Sequence, residues 1–182
     1  ADFYGNILVS ITVSDGQASD SGSFALTVNA VNDAPVISSI VDQFINEDES
    51  LTLELSASDV DLDALTFSAS STDSDASITV DGTSLTVTPL ADYNGTFTVD
   101  VSVTDGSVSV GTSFAVTVSP VNDAPVLSDL LDDAIDEDGV YTLDLSASDV
   151  DGDDLTYFAQ VDGNGSASVD GSALTITPDA DF

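Results

Sequence analysis

Hydrophobic and polar residues alternate along most of this chain. From residue 96 to residue 104, every odd position carries Phe or Val and every even position carries Thr, Asp or Ser. A similar alternation runs from Ile7 to Val13 and over residues 51–55. A period of two places one side of a strand in a core and the other side in water. Because no segment has helical spacing, the pattern predicts an all-β chain.

Turn signals divide this pattern into short strands. The dipeptides Asp81-Gly82 and Asp170-Gly171 predict tight hairpins, since Gly accepts a positive φ. Between residues 33 and 122 we predict seven strands, over residues 36–41, 51–57, 65–69, 77–80, 84–88, 96–104 and 112–118. Seven short strands in about ninety residues are typical of an antiparallel two-sheet sandwich with Greek-key connections, as in Ig-like domains.

The chain also repeats itself with a period of about ninety residues. Val-Asn-Asp-Ala-Pro-Val occurs at residues 31–36 and again at residues 121–126. Leu-Ser-Ala-Ser-Asp-Val-Asp occurs at residues 55–61 and again at residues 145–151. A fixed period of this length predicts tandem copies of one domain.

The phase of the repeat predicts one complete copy between two incomplete ones. Residues 1–32 form the C-terminal part of one repeat, residues 33–122 a complete repeat, and residues 123–182 the N-terminal part of another. We expect the sequence to be a window on a longer array. The alternative is that residues 123–182 of one chain are completed by residues 1–32 of the next.

Composition restricts the partners and the chemistry. The 182 residues include 34 Asp and Glu but no Lys, Arg, His or Cys, for a formal net charge of −34. A chain without cationic side chains cannot neutralise phosphates, so we expect no nucleic acid partner. Imidazole, thiolate and Schiff-base catalysis are excluded. The hydrophobic content of 42% favours a packed core over disorder, and no apolar run is long enough for membrane insertion.

The acidic residues gather in loops and at strand ends, at positions that recur after about ninety residues. The recurring positions are Glu47 and Glu137; Asp59, Asp61, Asp63 and Asp149, Asp151, Asp153; Asp92 with Asn94; Asp15 and Asp105; and Asn32, Asp33 with Asn122, Asp123. Two carboxylates about 4 Å apart repel by roughly 4 kcal/mol at an effective dielectric constant near 20. Ca²⁺ relieves such repulsion because it takes six to eight oxygen ligands. The pattern therefore predicts Ca²⁺ as a cofactor.

The order of these motifs resembles that of a cadherin repeat. Val-Asn-Asp-Ala-Pro-Val resembles the linker that joins cadherin domains, and Ala-Ser-Asp-Val-Asp resembles their Ala-x-Asp-x-Asp segment. Three further segments also resemble cadherin motifs. They are Asn-Glu-Asp at residues 46–48, Val-Thr-Asp-Gly at residues 103–106 and, more loosely, Leu-Ala-Asp-Tyr-Asn at residues 90–94. In particular, the chain resembles the cadherin-like tandem repeats of large bacterial surface proteins and adhesins.

This resemblance implies Ca²⁺ ions at the junctions between successive repeats. The implied ligands at the junction near residue 32 are Asp2, Asn32, Asp33, Asp59, Asp61 and Asp105. Those at the junction near residue 122 are Glu47, Asp92, Asn94, Asn122, Asp123, Asp149 and Asp151. Asp15 would serve a junction further upstream, and Glu137 and Asp181 one further downstream. Sites within a single repeat stay open as an alternative.

Together these features predict an extracellular or cell-surface segment that is not an enzyme. We expect Ca²⁺ to stiffen an array that extends an adhesin or a surface filament, with neighbouring repeats of the same chain or filament as partners. One alternative is a module that binds a carbohydrate or a like copy. Another is a filament subunit completed by strand sharing between chains. A glycosidase built on paired carboxylates is not expected, because bound metal explains the same pairs better.

Overall fold

A computed structural model describes residues 3–71 and 73–180 of the chain. In that part the chain forms strands, turns and loops but no helix, so no described helix could cross a membrane. The predicted all-β class is confirmed. The chain divides into two compact units, Ala1–Pro120 and Val121–Phe182. The assignment of residues 1–32, 33–122 and 123–182 to three repeats stays a prediction.

The first unit consists of a hairpin followed by a sandwich. Its strands are β1 (Gly5–Ser14), β2 (Ser19–Val28), β3 (Val36–Ile37), β4 (Gln43–Asn46), β5 (Leu51–Glu54), β6 (Ala57–Ser58), β7 (Thr66–Ser71), β8 (Ala76–Asp81), β9 (Ser84–Pro89), β10 (Gly95–Thr104) and β11 (Ser109–Ser119). The hairpin joins β1 to β2 in an antiparallel ladder, from the Gly5–Val28 pair to the Ser14–Ser19 pair. Among the described residues, β1 and β2 pair only with each other.

Two sheets and a short ladder build the sandwich. One sheet has the order β4-β11-β10-β7, and the other has the order β5-β9-β8. Within the first sheet β4 lies parallel to β11, whereas the other neighbours are antiparallel. The strands β3 and β6 form a separate two-stranded ladder. This is the two-sheet arrangement that the alternating pattern predicts.

Aliphatic and aromatic side chains from both sheets form the core. The buried ones are Leu55, Leu85, Val87, Phe97, Val99, Val101, Phe114, Val116 and Val118. Along β9, β10 and β11 they alternate with less buried, mostly polar residues, as the period of a strand requires. Each fully buried side chain of this size contributes about 1.5–3 kcal/mol. The core therefore holds the loops at both ends of the sheets in fixed places.

The strands of the sandwich differ from the predicted ones in three respects. The alternation does not predict β4, which exists because residues far away in the sequence, those of β11, offer it a ladder. The predicted strand over residues 51–57 is divided: β5 pairs with β9, whereas β6 pairs with β3. The chain leaves the sheet near Leu55 and Ser56. The predicted strand over residues 36–41 is limited to β3, because only two of its residues pair with β6.

The second unit reproduces part of this architecture. Its strands are β12 (Val126–Leu127), β13 (Tyr141–Asp144), β14 (Ala147–Ser148), β15 (Gly165–Asp170) and β16 (Ala173–Pro178). The pair β12–β14 corresponds to β3–β6, and the sheet β13-β16-β15 corresponds to β5-β9-β8. Both predicted Asp-Gly hairpins are present, with a φ of 61° at Gly82 and at Gly171.

Candidate metal centre

The strand β10 separates two groups of acidic residues in the first unit. Asp92 precedes this strand and Asp105 follows it. A strand of 10 residues spans about 33 Å at roughly 3.3 Å per residue, so the two groups lie at opposite ends of the sandwich. We name them the entry group (Asn32, Asp33, Asp59, Asp61, Asp63 and Asp105) and the exit group (Glu47, Asp48 and Asp92).

Three carboxylates of the entry group lie on one short loop after β6. The Oδ1 atom of Asp59 accepts hydrogen bonds from the backbone N–H groups of Asp61 at 2.9 Å and Asp63 at 3.3 Å. These bonds fold the loop back on itself, as Asp side chains often do in turns. Leu62, between the two donors, has a φ of 65°. As a result, carboxylate oxygens of Asp59, Asp61 and Asp63 lie within 4.8 Å of one another.

The segment that follows the hairpin is tied to this loop and to Asp105. The backbone N–H of Asp33 donates to Oδ2 of Asp61 at 2.7 Å. The side-chain amide of Asn32 donates to Oδ2 of Asp105 at 2.9 Å and to the carbonyl oxygen of Asp33 at 2.8 Å. The linker between hairpin and sandwich therefore contacts two loops through carboxylate oxygens.

Asp105 is held in its ionised form by hydrogen bonds. Its Oδ1 atom accepts from the backbone N–H groups of Val108 at 2.7 Å and Ser107 at 2.6 Å. These bonds, that from Val108 first and then that from the Asn32 side chain, lower the pKa of Asp105 below its ordinary value. A carboxylate that is charged down to low pH is suited to bind a cation.

The entry group meets a direct test of fit for a metal ion. The Oδ2 atom of Asp59 is buried and has no hydrogen-bond partner in the described part of the chain. A buried acceptor without a partner is costly and is often explained by an ion or water that completes it. The whole sequence contains no Lys, Arg or His that could do so. An all-oxygen donor set of this charge is what a hard cation such as Ca²⁺ takes.

Glu47 belongs to the exit group. It is the acidic residue that is buried in the described part of the chain, with 3% of its surface exposed. The backbone N–H of Glu47 donates to the carbonyl oxygen of Ser119 at 3.0 Å. The next residue, Asp48, accepts a long hydrogen bond of 3.4 Å from the backbone N–H of Asp92. Both Asp48 and Asp92 have a positive φ, of 62° and 58°, a conformation that Asp tolerates better than most residues.

The second unit repeats the entry-group bonds made by the Asp59 loop and by Asp33, and the bond from the Asn32 amide to the Asp33 carbonyl oxygen. The Oδ1 atom of Asp149 accepts from the backbone N–H groups of Asp151 at 3.0 Å and Asp153 at 3.3 Å. The N–H of Asp123 donates to Oδ2 of Asp151 at 2.7 Å, and the Asn122 amide donates to the carbonyl oxygen of Asp123 at 2.6 Å. The recurrence after ninety residues shows that the local sequence is sufficient to build this loop.

Asp15, in the turn of the first hairpin, is the equivalent of Asp105 ninety residues earlier. Oδ1 of Asp15 accepts from the backbone N–H groups of Ala18 at 2.7 Å and Gln17 at 2.9 Å. The bond from Ala18 contributes most to lowering the pKa of Asp15 below its ordinary value, followed by the bond from Gln17. In the described residues, Asp15 has no counterpart of the bond between Asn32 and Asp105.

The structure brings together some of the predicted ligands and leaves others apart. Asn32, Asp33, Asp59, Asp61 and Asp105 meet in the entry group, and Glu47 and Asp92 lie in the exit group. The side chains of Asn94 and Glu137 are exposed. Asp2 and Asp181 lie outside the described residues. The roles of all these residues as ligands, including the set implied near residue 122, stay predictions.

Two further candidates were not among the implied ligands. Asp63 joins Asp59 and Asp61, and Asp48 contacts the backbone of Asp92. The spacing of three alternate acids in residues 59–63 is a signal for Asp63. Asp48 lies in the acidic segment that recurs at Asp138, but its approach to Asp92 depends on a left-handed backbone conformation.

The fold and the acidic loops define a class of Ig-like β-sandwich repeats. Residues 31–119 match the family model described as a cadherin-like domain, and residues 122–182 match the model described as a bacterial Ig domain. The resemblance to cadherin-like repeats is therefore confirmed. Domains of both kinds are typical of extracellular or surface proteins, where they serve as adhesion or structural repeats, and they are typically non-enzymatic. The search of curated proteins found no match.

Several solved structures are similar to the chain at low identity. Human protocadherin-24 EC1-2 is 20% identical over 82% of this chain and 81% of that chain, with a TM-score of 0.48. An endo-fucoidan hydrolase from glycoside hydrolase family 107 is 20% identical over 98% of this chain, with a TM-score of 0.41. The chain spans 30% of the length of that hydrolase. The immunoglobulin domains 1–5 of Sidekick-1 are 17% identical over 64% of this chain and 26% of that chain, with a TM-score of 0.37.

Proposed function

We propose that this chain is an extender segment of an extracellular adhesin or surface filament, made rigid by Ca²⁺, and that it has no catalytic role. The observation that carries the proposal is the buried Oδ2 atom of Asp59, which has no hydrogen-bond partner among the described residues. It lies beside Asp61 and Asp63 in a chain that contains no side-chain cation. A bound divalent cation supplies the missing positive charge.

The entry group would hold the ion in the first unit. Asp59, Asp61 and Asp63 offer carboxylate oxygens from one loop, and Asp105 offers a carboxylate from the loop after β10. The ion would neutralise these charges and complete the coordination of Asp59. Asn32 and Asp33 already bond to Asp105 and Asp61, so they belong to the same group and connect it to the linker.

Rigidity follows from the position of the linker within the first unit. Residues 29–33 connect β2 to the sandwich, and their described bonds to the sandwich loops end on carboxylate oxygens of Asp61 and Asp105. Without a cation those carboxylates repel one another. With a cation they are drawn together, and the linker is fixed with them. Binding of Ca²⁺ at 100 times its dissociation constant would add about 2.7 kcal/mol of stability per site.

Calorimetric titration with Ca²⁺ tests the proposal. We expect the wild-type chain to bind Ca²⁺ and to melt at a higher temperature in its presence than after chelation with EGTA. Asp59→Asn should remove at least one site, because the amide keeps the shape of the side chain but not its charge. Asp81→Asn, in an exposed hairpin turn, is the matched control and should bind like the wild type.

Small-angle scattering tests the consequence for rigidity. We expect the maximum dimension of the wild-type chain to be better defined with Ca²⁺ than with EGTA, and the difference to be smaller in Asp59→Asn. Wild-type protein that binds no Ca²⁺, or Asp59→Asn protein that binds as many ions as the wild type, would contradict the proposed centre. Scattering that is unchanged by EGTA would contradict the proposed stiffening.

A further inference from the structure

A groove of about 580 Å³ lies on the outer face of the sheet β4-β11-β10-β7. This sheet belongs to the sandwich in which both sheets and the core between them are formed. The groove crosses three neighbouring strands, β7, β10 and β11, and its volume is in the range of clefts that bind small ligands. Its outward-facing residues are small and mostly polar: Ser68, Ser70, Asp100, Ser102, Gly111 and Ser113.

Two residues of the groove are unusual in the middle of a strand. Asp100 lies between the buried Val99 and Val101 of β10, so its side chain is on the outer face. Gly111 lies in β11 opposite Ser102. Asp and Gly both disfavour strands, and a Gly in a strand interior often marks a place where a ligand approaches closely. Residues that break the local rules of their element tend to lie at functional or strained sites.

The equivalent hairpin β1–β2 contains neither of these two residues. Ninety residues earlier, the positions of Asp100 and Gly111 are occupied by Ser10 and Ser21, in the same cross-strand register. Ser fits the row of Ser and Thr side chains along these strands. Because β1–β2 forms the same ladder with Ser at both positions, the ladder does not explain why β10–β11 has Asp and Gly there.

The groove offers hydrogen-bonding groups of two kinds. The exposed carboxylate of Asp100 accepts no hydrogen bond from any residue that the structure describes, and an ionised carboxylate only accepts. The Oγ atoms of Ser68 and Ser102 lie 3.1 Å apart, and each hydroxyl both donates and accepts, so capacity for further bonds remains. A partner rich in hydroxyl groups matches this mixture, because its hydroxyls can donate to the carboxylate and exchange bonds with the serines.

An exposed aromatic ring lies further along the same face. Phe44 on β4 is 75% exposed, whereas the next residue, Ile45, packs against the core, so Phe44 is on the outer face. It pairs with Thr117, four positions along β11 from Ser113. At roughly 3.3 Å per residue, the ring lies about 13 Å from the groove in the direction of the strands. The negative face of an aromatic ring attracts the C–H groups of a sugar ring.

The charge of the chain selects among partners that are rich in hydroxyl groups. Its formal net charge is −34, without a single Lys or Arg. Sulfated and carboxylated polysaccharides are negative themselves, so the chain as a whole and Asp100 in the groove would repel them. The same repulsion opposes nucleic acids. An uncharged saccharide avoids this cost and keeps the hydroxyl groups that the groove can bind.

We propose that this outer face binds an uncharged oligosaccharide. The Asp100 carboxylate accepts hydrogen bonds from sugar hydroxyl groups that lie over Gly111, and the neighbouring serines add further bonds. Phe44 stacks on another sugar of the same oligosaccharide. Because the two contacts are separated along the sheet, a chain of several sugars reaches both and a monosaccharide reaches only one. The proposal goes beyond the Ca²⁺ centre and does not depend on it.

An NMR titration of the ¹⁵N-labelled chain tests the position of the site. The probes are cellohexaose, laminarihexaose, maltohexaose and mannohexaose, with hexagalacturonate as the charged counterpart. At least one uncharged probe should shift the amide signals around Asp100 and Phe44, and hexagalacturonate should shift neither. The corresponding monosaccharide should bind about tenfold more weakly, since it makes one contact instead of two. No shift with any uncharged probe at millimolar concentration, or shifts confined to other surfaces, would overturn the proposal.

The equivalent hairpin also suggests the variants to use. Asp100→Ser should weaken binding about tenfold, because it removes a charged acceptor. Gly111→Ser should weaken binding by filling the floor of the groove; its Cβ atom would lie 3.3 Å from the Val101 carbonyl oxygen, which a small shift relieves. Neither variant should melt below the wild type, since each removes a residue that disfavours strands. Asp81→Ser is the matched control, because it removes the same charge from the other sheet and should bind like the wild type.

Two further comparisons complete the test. Phe44→Ala should weaken binding of the hexasaccharide but not of the monosaccharide, whereas Phe44→Tyr should keep the affinity of the wild type. Equal affinity of Phe44→Ala and the wild type would overturn the stacking contact, and full affinity of both groove variants would overturn the site. Binding should be the same in EGTA and in Asp59→Asn, so the failure of this proposal can be distinguished from the failure of the Ca²⁺ centre.

Discussion

Two hairpins of this chain, β1–β2 and β10–β11, have the same register but different surroundings. Each has ten cross-strand pairs between a leading Gly and a closing turn that begins with Asp-Gly. In β10–β11 the apolar face is buried against the other sheet, whereas in β1–β2 it is exposed. Strand formation and pairing in these hairpins are therefore properties of the local sequence. Burial of the apolar face depends instead on whether the other sheet of the sandwich packs against it.

The largest expected difference in stability between the hairpins comes from substitution of Phe114 and of its equivalent Phe24. Phe114→Ala should reduce the free energy of unfolding by about 3–5 kcal/mol, since it opens a cavity in the core. Phe24→Ala, at the equivalent position, should change the free energy of unfolding of the sandwich little, because Phe24 is half exposed. Urea denaturation of both variants at low protein concentration provides the measurement. Equal destabilisation by the two substitutions would show that β1–β2 is covered in the monomer.

The next largest difference in stability is expected from substitution of the glycines at which the two hairpins begin, Gly95 and Gly5. Gly95 has a φ of 151°, and a Cβ atom there would lie 2.8 Å from the Tyr93 hydroxyl. Gly95→Ala should therefore cost about 1–3 kcal/mol through backbone strain, and it should also displace Tyr93 from its edge contact with Phe97. At Gly5 a Cβ would meet only Phe3, at 3.8 Å.

Gly5→Ala is the matched control for this strain. Its backbone also has a positive φ, of 128°, but the hairpin is not part of the core. We expect thermal melting of the sandwich to shift for Gly95→Ala and to remain near the wild-type value for Gly5→Ala. A larger shift for Gly5→Ala would mean that the first hairpin contributes to the sandwich.

The Asp residues of the two closing turns should give a smaller difference that depends on pH. Hydrogen bonds lower the pKa of both Asp105 and Asp15 in the folded chain. Their stabilising contribution is therefore present above the pKa of the unfolded chain and is lost as pH falls through the folded-state pKa. Asp105→Ala should reduce this acid dependence more than Asp15→Ala, because Asp105 also accepts a bond from Asn32.

Thermal melting from neutral to acidic pH measures this effect. Asp105→Asn keeps an acceptor for the turn but cannot change charge, so it should flatten the acid dependence while retaining more stability than Asp105→Ala. If Asp15→Ala changed the acid dependence as much as Asp105→Ala, the bond from Asn32 would have no energetic role.

The smallest expected effect concerns the acidic loops of the two units. Leu62 has a φ of 65° where the second unit has Gly152 with a φ of 76°. Leu62→Gly should relieve about 1–2 kcal/mol of strain but lose about 0.4–1 kcal/mol to the greater freedom of the unfolded chain. A net gain of between zero and about 1.6 kcal/mol should appear in urea denaturation. A clear loss would mean that the Leu62 side chain makes a stabilising contact.

The sequence was sufficient to predict what depends on neighbouring residues. The Asp-Gly hairpins at Gly82 and Gly171 and the alternation of β1 and β10 were predicted because their determinants are local. The strand β4 was not, because its ladder with β11 joins residues more than seventy positions apart. Phe44, which is exposed on this strand, breaks the simple pattern of a buried apolar position.

The candidate centre shows the same division between local and non-local determinants. The loop of Asp59, Asp61 and Asp63 was predicted as a group because alternate acids in a turn come together. Its approach to Asn32 and Asp105 was implied by the resemblance to cadherin repeats and not by spacing. Asp48 lies in the acidic segment at residues 46–48 but was not among the implied ligands, because the residue type alone does not reveal its left-handed conformation. The ligand roles themselves require the titrations described above.

The parallel pairing of β4 with β11 has a consequence for a chain under tension. Both strands run towards the end of the sandwich where the chain leaves at Pro120. A pull on residue 33 drags β4 away from that end, while a pull on Pro120 drags β11 towards it. The four residue pairs of this ladder are then sheared together and not peeled apart singly. The two-residue ladder β3–β6 would break first. After that, the ladder between β4 and β11 would resist stretching of the sandwich, although β4 is the strand that the sequence pattern did not predict.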